Sequence, residues 1–482
     1  MSERNGPRIV IMGAGPGGMC TAIKLLEAGI DDFMILERSS GVGGTWHNNT
    51  YPGLECDVRS HLYSFSFEPK RDWTRPYPSQ PEILAYLESV ARKYRLMPYV
   101  RLGTEVRSAH WDEPAATWRL ATNRGSFDAP VLVSAIGMFN VIRWPDIPGL
   151  CEFGGTLFHS SRWDHHHDLS GRSVAVIGSA ASAIQLTPEI APLVGRLFLF
   201  QRSASWVLPK ANTPFTEEQI DRFVNDPDAA RMERAKIHAE VEAGLTFADP
   251  EIRRQCEAAG LQSLMAVKDA DVRARLLPKV PWGCHRPLAT NDFYPMFNRS
   301  NVELVTQPIE RITSDSIVTA DRVQRHVDTI IAATGFEAGR FLSAIDVIGR
   351  GGRKLEDAWA GGAEAYLGIT TSGFPNVFML YGPNTNNGSI LTMIEYQADY
   401  IVRQIARMTA QGITGIDVRR DAMDRYNTQV QRELSEVEVW QVACHNYYRG
   451  ASGRIVTQWP NTMAEYRRRT LVPDSDAYET IG

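Results

Sequence analysis

The chain has 482 residues, which at about 150 residues per domain predicts two to four domains and excludes a single small binding module. Its 51 basic and 56 acidic residues give a formal net charge of −5, so no electrostatic footprint for nucleic acid or an anionic membrane exists. Hydrophobic residues make up 43% and charged residues 22%, as in folded globular proteins. The sequence predicts a large buried core and no nucleic-acid partner.

The cysteines and the apolar runs bear on the compartment. Six cysteines are scattered without a CxxC or CxxxxC motif or metal-site spacing, which favours unpaired thiols, a reducing compartment and no metal site. The N-terminal residues lack a signal-peptide pattern, and no apolar run reaches the roughly 18 residues of a membrane span. We expect a cytoplasmic protein with no integral membrane segment, and the oligomeric state stays open.

The first motif lies near the N-terminus, where the apolar residues 8–12 run into a Gly-rich turn and then a helical stretch. The turn carries the G-x-G-x-x-G fingerprint at Gly13, Gly15 and Gly18, and the next predicted strand ends at Glu37. Such glycines let the backbone approach a pyrophosphate at a helix N-terminus, while the acid accepts hydrogen bonds from a ribose. This predicts a dinucleotide with a free 2′-hydroxyl. A solvated acid at a strand end is the alternative for Glu37.

The same pattern recurs in a looser form after the apolar residues 173–177, but the strand that follows ends at Arg202 and Ser203 instead of an acid. A guanidinium and a hydroxyl can bind a 2′-phosphate through charge-assisted hydrogen bonds, whereas an acid would repel it. The second site therefore predicts NADPH, with an ordinary surface arginine as the alternative. The residues of this second turn expected at the cofactor are Gly178, Ser179, Ala180 and Ser182.

Two dinucleotide sites in one chain imply electron transfer between two cofactors, and a tightly held dinucleotide beside NADPH is most economically FAD. The predicted fold is α/β, with two Rossmann-like dinucleotide-binding domains (FAD and NADPH) and a helical insertion. We predict the first part of the FAD domain at residues 1–150 and its second part at residues 326–482. The NADPH domain is expected at residues 151–325, with the insertion at about residues 212–279.

The segment between the two folds carries a longer motif. Residues 153–164, FGGTLFHSSRWD, resemble the FxGxxxHxxxW(P/D) fingerprint of the Baeyer-Villiger monooxygenases. The matching positions are Phe153, Gly155, His159, Trp163 and Asp164. Other segments similar to this family are GGTW at residues 43–46, CD at residues 56–57, GCHRPL at residues 283–288 and ATG at residues 333–335.

This resemblance implies an FAD- and NADPH-dependent Baeyer-Villiger monooxygenase. In that family NADPH reduces the flavin, O2 gives a C4a-peroxyflavin, and attack on a ketone inserts one oxygen atom next to the carbonyl to form an ester or lactone. The resemblance assigns catalysis to Arg286, whose fixed charge suits an anionic peroxide, and to Asp57, which orients it. A structural ion pair is the alternative for both. The resemblance also places Thr45, Trp46, Asp57, Tyr63, Val106 and His285 at the cofactors.

Several histidines and candidate pocket residues need separate interpretation. His285 stands where the family commonly has a lysine, so we expect Arg202 and Ser203 to carry more of the NADPH discrimination and the preference for NADPH over NADH to weaken from pH 6 to 8. For His159 we expect a structural or conformational role between domains, with a general base as the alternative. For residues 165–167 we expect a polar loop and not a metal cluster. The candidates for the pocket wall, for which core packing is equally open, are Tyr381, Asn384 and Trp440.

Other functions stay open at this point. The main alternative is a flavin-dependent N- or S-oxygenating monooxygenase that uses a C4a-hydroperoxyflavin. A pyridine-nucleotide disulfide reductase would need a redox dithiol, and the sequence has no CxxC or CxxxxC. A nucleotide-binding sensor without chemistry shares the same fold.

Overall fold

The structure, a computed structural model, describes residues 8–244, 247–443, 446–472 and 474–481, and Cys444 lies outside these ranges. The strands, in chain order, are β1 (Ile9–Met12), β2 (Phe33–Leu36), β3 (Val100–Arg101), β4 (Val106–Asp112), β5 (Thr117–Thr122), β6 (Gly125–Ala129), β7 (Val131–Ser134), β8 (Thr156–His159), β9 (Ser173–Ile177), β10 (Arg196–Phe200), β11 (Val207–Leu208), β12 (Leu288–Ala289), β13 (Val302–Val305), β14 (Ile309–Ile312), β15 (Ser316–Thr319), β16 (Gln324–His326), β17 (Thr329–Ala332), β18 (Asp346–Ile348), β19 (Val377–Met379), β20 (Gly415–Val418) and β21 (Tyr478–Ile481). The α-helices are α1 (Pro16–Glu27), α2 (Thr45–Asn48), α3 (Gln80–Lys93), α4 (Ala181–Ile190), α5 (Glu217–Asn225), α6 (Pro227–Gly244), α7 (Pro250–Leu264), α8 (Ala270–Leu276), α9 (Phe293–Met296), α10 (Leu355–Ala358), α11 (Ile390–Gln411), α12 (Arg420–Ser435), α13 (Glu438–Gln441) and α14 (Met463–Leu471).

The first sheet has the strand order β19-β7-β1-β2-β3, and its neighbouring strands are parallel. Every residue of β1 is buried, as expected for a parallel strand whose two faces are both covered. Helices α1 and α11 pack against each other. Strand β19 comes late in the chain, so both ends of the sequence contribute to this sheet. This arrangement places the Gly-rich turn at the carboxyl end of β1, at one edge of a rigid core.

The second sheet has the order β13-β10-β9-β17-β8 and is also parallel. Strand β17 pairs with both β9 and β8, with Thr329 opposite Val174 and Thr156. It therefore lies in the second sheet although it follows residue 325, where we placed the division between the domains. All four of its residues are buried. Its hydrogen bonds to β9 and β8, and not its position along the chain, assign β17 to the second sheet.

Helices α5 to α8 form the insertion, and their residues fall inside the predicted range of 212–279. Helix α5 begins with a capping box: the Gln219 amide donates to Thr216 Oγ1 at 3.2 Å, and the Thr216 amide donates to Gln219 Oε1 at 2.8 Å. Strands β11 and β12 flank the insertion and pair in parallel, with Val207 opposite Leu288. The two segments at which the chain enters and leaves the insertion consequently lie side by side.

The helices and the cysteines bear on the cellular environment predicted from the sequence. Within the described ranges, no helix is long and apolar enough to cross a membrane. Among the cysteines that the structure describes, Cys20, Cys56, Cys151 and Cys256 are free. Cys284 is disulfide-bonded, so the expectation of unpaired thiols is wrong at this residue. That expectation came from sequence spacing, which carries no information on contacts between distant segments.

Candidate active site

The first Gly-rich turn is a cradle that only glycine can form. Gly13 has a φ of +102°, and a Cβ at this position would lie 2.6 Å from the Ala135 carbonyl oxygen. A Cβ on Gly18 would overlap the carbonyl of Gly13, so only glycine can pack beneath the turn at this position. A Cβ on Gly15 would lie 3.3 Å from the Gly44 Cα. Gly13, Gly15 and Gly17 line a cleft at the N-terminus of α1, the end of a helix that favours an anion.

Glu37 lies directly after β2 and is only 4% exposed. Its carboxylate accepts hydrogen bonds from the amides of Ala14 and Ser39, both at 2.7 Å. These bonds fix the carboxylate beside the Gly-rich turn, and Glu37 also lines the adjoining cleft. The solvated acid that was the alternative does not match this burial. Val106, at the start of β4, also lines the cleft.

A cluster of flavin-segment residues continues the wall of the cleft. Thr45 and Trp46 begin α2, and the Trp46 indole donates to the Tyr63 hydroxyl at 2.9 Å. The two rings meet edge to face with centroids 5.6 Å apart. Burial raises the pKa of Tyr63 well above its ordinary value, so this phenol stays protonated. All three residues line the cleft.

The second Gly-rich turn repeats the construction of the first. Gly178 has a φ of +118°, and a Cβ there would overlap the Ala333 carbonyl, as Gly13 does with Ala135. Ser179 Oγ donates to the Ser203 carbonyl at 3.3 Å, which ties the turn to the end of β10. The residues of this turn that line the cleft are Gly178, Ser179, Ala180 and Ser182. A second cradle therefore lies at the N-terminus of α4.

Arg202 and Ser203 lie at the end of β10, exposed within the same cleft. His285 also lines the cleft, as the family resemblance implied. An exposed guanidinium next to a hydroxyl is the donor set that a 2′-phosphate requires. The cleft is continuous from the first cradle to the second.

Asp57 and Arg286 meet in this cleft as an ion pair. Arg286 Nε donates to Asp57 Oδ2 at 2.9 Å, and a second guanidinium nitrogen shares the same oxygen. Their side chains are 39% and 35% exposed to the cleft. Arg286 also donates to the Tyr447 hydroxyl at 3.5 Å. The guanidinium thus points into the cleft with part of its donor edge accessible.

The charges of this pair are mutually reinforced. Asp57 raises the pKa of Arg286 well above its ordinary value, so the guanidinium is permanently charged. Burial alone would raise the pKa of Asp57, but Arg286 and then Lys210 outweigh it and hold that pKa below its ordinary value. The pair therefore stays ionised, and it presents a cation that cannot release a proton.

Comparisons with known proteins identify the family. Residues 10–244 match the family described as pyridine nucleotide-disulphide oxidoreductase. A protein named Baeyer-Villiger monooxygenase from Pseudomonas aeruginosa is 40% identical over 98% of this chain and 91% of its own length. A second protein of that name, from Streptomyces coelicolor, is 39% identical over 98% of this chain and 92% of its own. The chain belongs to the Baeyer-Villiger monooxygenase family.

Solved structures agree with this assignment. The closed crystal structure of cyclohexanone monooxygenase has a TM-score of 0.89 and 29% identity, covering 98% of this chain and 99% of its own. OTEMO, in complex with FAD and NADP, has a TM-score of 0.87 and 29% identity over 99% of this chain and 100% of its own. The predicted family, the α/β class with two Rossmann-like units, and the enzyme class are confirmed.

Sequence reasoning missed residues that hold the active site of this Baeyer-Villiger monooxygenase together. Arg234 of α6 donates to the carbonyl oxygens of His61, Leu62 and Ser64 at 3.0, 3.2 and 2.9 Å. This arginine docks the helical insertion onto the loop that carries Tyr63. Its partners are 170 to 173 positions away in the chain, so no local pattern could have indicated them.

His159 of the Baeyer-Villiger fingerprint lies outside the cleft. It is 1% exposed, its ring meets Phe336 edge to face at 5.9 Å, and Nδ1 accepts from the Ser161 amide at 3.1 Å. Burial lowers its pKa to about 4, so it is neutral near pH 7. Trp163, by contrast, lines the cleft. These positions fit a structural part for His159 better than a general base.

The remaining candidates divide between the cleft and the core. Tyr381 lines the cleft and hydrogen-bonds Asn386. Asn384 is buried and donates to the carbonyls of Ile455 and Gln458, both at 3.0 Å, so it braces a loop and does not face the cleft. Trp440 packs in the core. In the loop of three histidines, the His165 ring hydrogen-bonds the Thr50 hydroxyl and the His167 ring hydrogen-bonds the Thr329 hydroxyl. These two rings are therefore held by different segments of the chain.

Proposed function

We propose that this Baeyer-Villiger monooxygenase binds FAD and NADPH in its two cradles and inserts one oxygen atom of O2 next to the carbonyl of a ketone, giving an ester or lactone. The observation that carries the proposal is the position of the Asp57–Arg286 pair in the cleft that joins the two cradles. A permanent cation is thereby available where both cofactors and a substrate can meet. When bound, FAD supplies the activation of O2 with electrons that NADPH provides.

The first cradle is assigned to FAD. Gly13 and Gly15 leave room for the pyrophosphate at the N-terminus of α1. Glu37, fixed by two amides, has lone pairs left to accept from ribose hydroxyls. Trp46 and Tyr63 form a rigid wall because each holds the other in place. The fit rests on the shape of the turn, since a Cβ on Gly13 would lie 2.6 Å from the Ala135 carbonyl oxygen and would force the turn to move.

The second cradle is assigned to NADPH. Gly178 and Ser179 present the N-terminus of α4 to a pyrophosphate. Arg202 and Ser203 carry the donors for the 2′-phosphate. His285 lines the same cleft and adds a positive charge only when it is protonated, so its contribution falls as the pH rises.

Arg286 is assigned to charge stabilisation during oxygen transfer. Its guanidinium stays charged and aims N–H donors into the cleft, where they stabilise negative charge that develops on oxygen. Asp57 accepts two of these N–H groups on one oxygen and so fixes the plane of the guanidinium. The Tyr447 hydroxyl restrains the other side. Together these contacts set the direction of the remaining donors.

The experiment is product analysis of the flavin-loaded enzyme with NADPH, O2 and cyclohexanone. We expect the lactone, with one NADPH oxidised per lactone formed. The R286A variant should keep its flavin and lose about 100-fold to 1,000-fold in kcat/KM, the usual effect of removing a donor to developing negative charge. R322A, which removes an arginine that is 80% exposed and outside the cleft, is the control. Sulfoxide from a thioether without ester or lactone from any ketone, or lactone formation by R286A within tenfold of wild type, would contradict the proposal.

A further inference from the structure

A second ion pair lies beside the catalytic one. Lys210 has a side chain only 2% exposed, and its Nζ donates to Glu55 Oε1 at 2.6 Å and to the Cys56 carbonyl at 3.1 Å. The other oxygen of Glu55 accepts from Asn212 Nδ2 at 2.7 Å. A buried lysine needs such partners to be tolerated, so this arrangement is specific. Neither the fingerprint nor the cofactor motifs include it.

The backbone of Lys210 is fixed to the segment that carries Arg286. The Lys210 amide donates to Asn291 Oδ1 at 2.9 Å, and Asn291 Nδ2 donates back to the Lys210 carbonyl at 2.7 Å. Strand β11 ends two residues before Lys210, and β12 begins two residues after Arg286. Because β11 and β12 pair in parallel, the two cations stand on one small, rigid platform.

The two anions stand on one loop of the flavin side. Glu55 and Asp57 are separated by a single residue, and the loop is further held by Gln185 of α4, whose Nε2 donates to the Glu55 carbonyl at 2.9 Å. Lys210 binds one anion and Arg286 binds the other. A single ion pair would let the loop rotate about it, whereas two pairs one residue apart fix both the distance of the loop from β11 and β12 and its rotation.

We propose that Lys210 is a positioning residue for oxygen transfer, which through Glu55 holds the Asp57 loop in the register that aligns Arg286. This proposal rests on the function assigned above to Asp57 and Arg286. Lys210 does not line the cleft, so it acts through its partners and not on the substrate. Its positive charge also favours the ionised form of Asp57.

The consequence concerns how electrons are used. The loop of Glu55 reaches α4, the helix of the second cradle, through the hydrogen bond from Gln185 to the Glu55 backbone carbonyl. Side-chain variants of Lys210 and Glu55 keep this bond, so NADPH oxidation should continue when the ion pair is broken. Oxygen transfer depends on the direction of the Arg286 donors, and small misplacements of such groups reduce rates strongly. Loss of the pair should therefore divert electrons into H2O2 instead of ester.

The test measures lactone and H2O2 formed per NADPH oxidised by the flavin-loaded enzyme with cyclohexanone. We expect K210M and E55Q each to lower the lactone yield per NADPH about tenfold, with NADPH turnover within about threefold of wild type. K210R, which keeps a cation, should retain at least half of the wild-type yield. The double variant K210M/E55Q, which leaves neither charge buried alone, should match the single variants in yield while being the more stable protein.

The matched control is E364Q. Glu364 is 22% exposed, close to the 21% of Glu55, and pairs with Arg454 at 2.9 Å away from the cleft. Yields of K210M and E55Q within twofold of wild type would overturn the proposal, as would an equal loss in E364Q or in K210R. A wild-type enzyme that forms neither ester nor lactone from any ketone would refute the proposed function instead, so the two failures are distinguishable.

Discussion

At the scale of single residues, the two cradles depend on glycines that sit against a carbonyl of the neighbouring strand end. Gly13 combines a φ of +102° with a site where Cβ would lie 2.6 Å from the Ala135 carbonyl oxygen. We predict that G13A purifies with little bound FAD, because the added methyl group pushes the turn into the space for the pyrophosphate. The ratio of flavin to protein absorbance measures this directly.

Gly29 supplies the control for G13A. It also has a positive φ, +74°, but a Cβ there would meet nothing within 4 Å. We expect G29A to carry a comparable backbone cost, about 1 kcal/mol, and to retain its FAD. Equal loss of flavin from the two variants would show that backbone strain, and not the shape of the cradle, is responsible.

At the scale of elements, the pairing of β20 with β21 places a buried carboxylate against an arginine. Asp417 of β20 accepts from the Gly373 amide at 3.0 Å and lies 3.6 Å from Arg350. Burial raises the pKa of Asp417 to about 6, above its value in an unfolded chain. The protonated form is therefore favoured by folding, and this stabilisation is complete below about pH 4 and is lost as the pH rises through about 6.

We predict that D417N reduces the pH dependence of stability. An asparagine can still accept from the Gly373 amide and does not ionise, so the stability difference between pH 5 and pH 8 should shrink by about 1 to 3 kcal/mol. Thermal unfolding at the two pH values measures it. D421N removes an exposed carboxylate of α12 and should leave the difference nearly unchanged. A D417N profile parallel to that of wild type would contradict the raised pKa.

At the scale of the whole molecule, local patterns predicted the units but not their contacts. The strand, Gly-rich turn and helix around Gly13 and Gly178 could be read from sequence because each motif is contiguous. The position of β17 could not, because its short apolar run suits either parallel sheet and distant pairing decides. Lys210 and Glu55 lie 155 positions apart, so only the folded chain shows that they meet. The role of Asn384 also depends on distant contacts. From the sequence it could equally have lined the pocket, but in the folded chain it hydrogen-bonds the carbonyls of Ile455 and Gln458.

The cleft joins the two sheets. A ligand that contacts both the second cradle and the segments that flank the helical insertion should therefore stabilise the whole molecule. Binding to the folded state alone contributes about 2.7 kcal/mol when the ligand is at 100 times its Kd. We predict that NADP+ raises the Tm of the flavin-loaded enzyme and that R202A, by weakening binding about tenfold or more, removes about 1.4 kcal/mol of that effect at the same concentration. R196A, on the same strand β10 but outside the cleft, should respond like wild type. If R202A shows the full shift in Tm, the 2′-phosphate must be bound elsewhere, because a guanidinium at the end of β10 would then contribute nothing to the affinity.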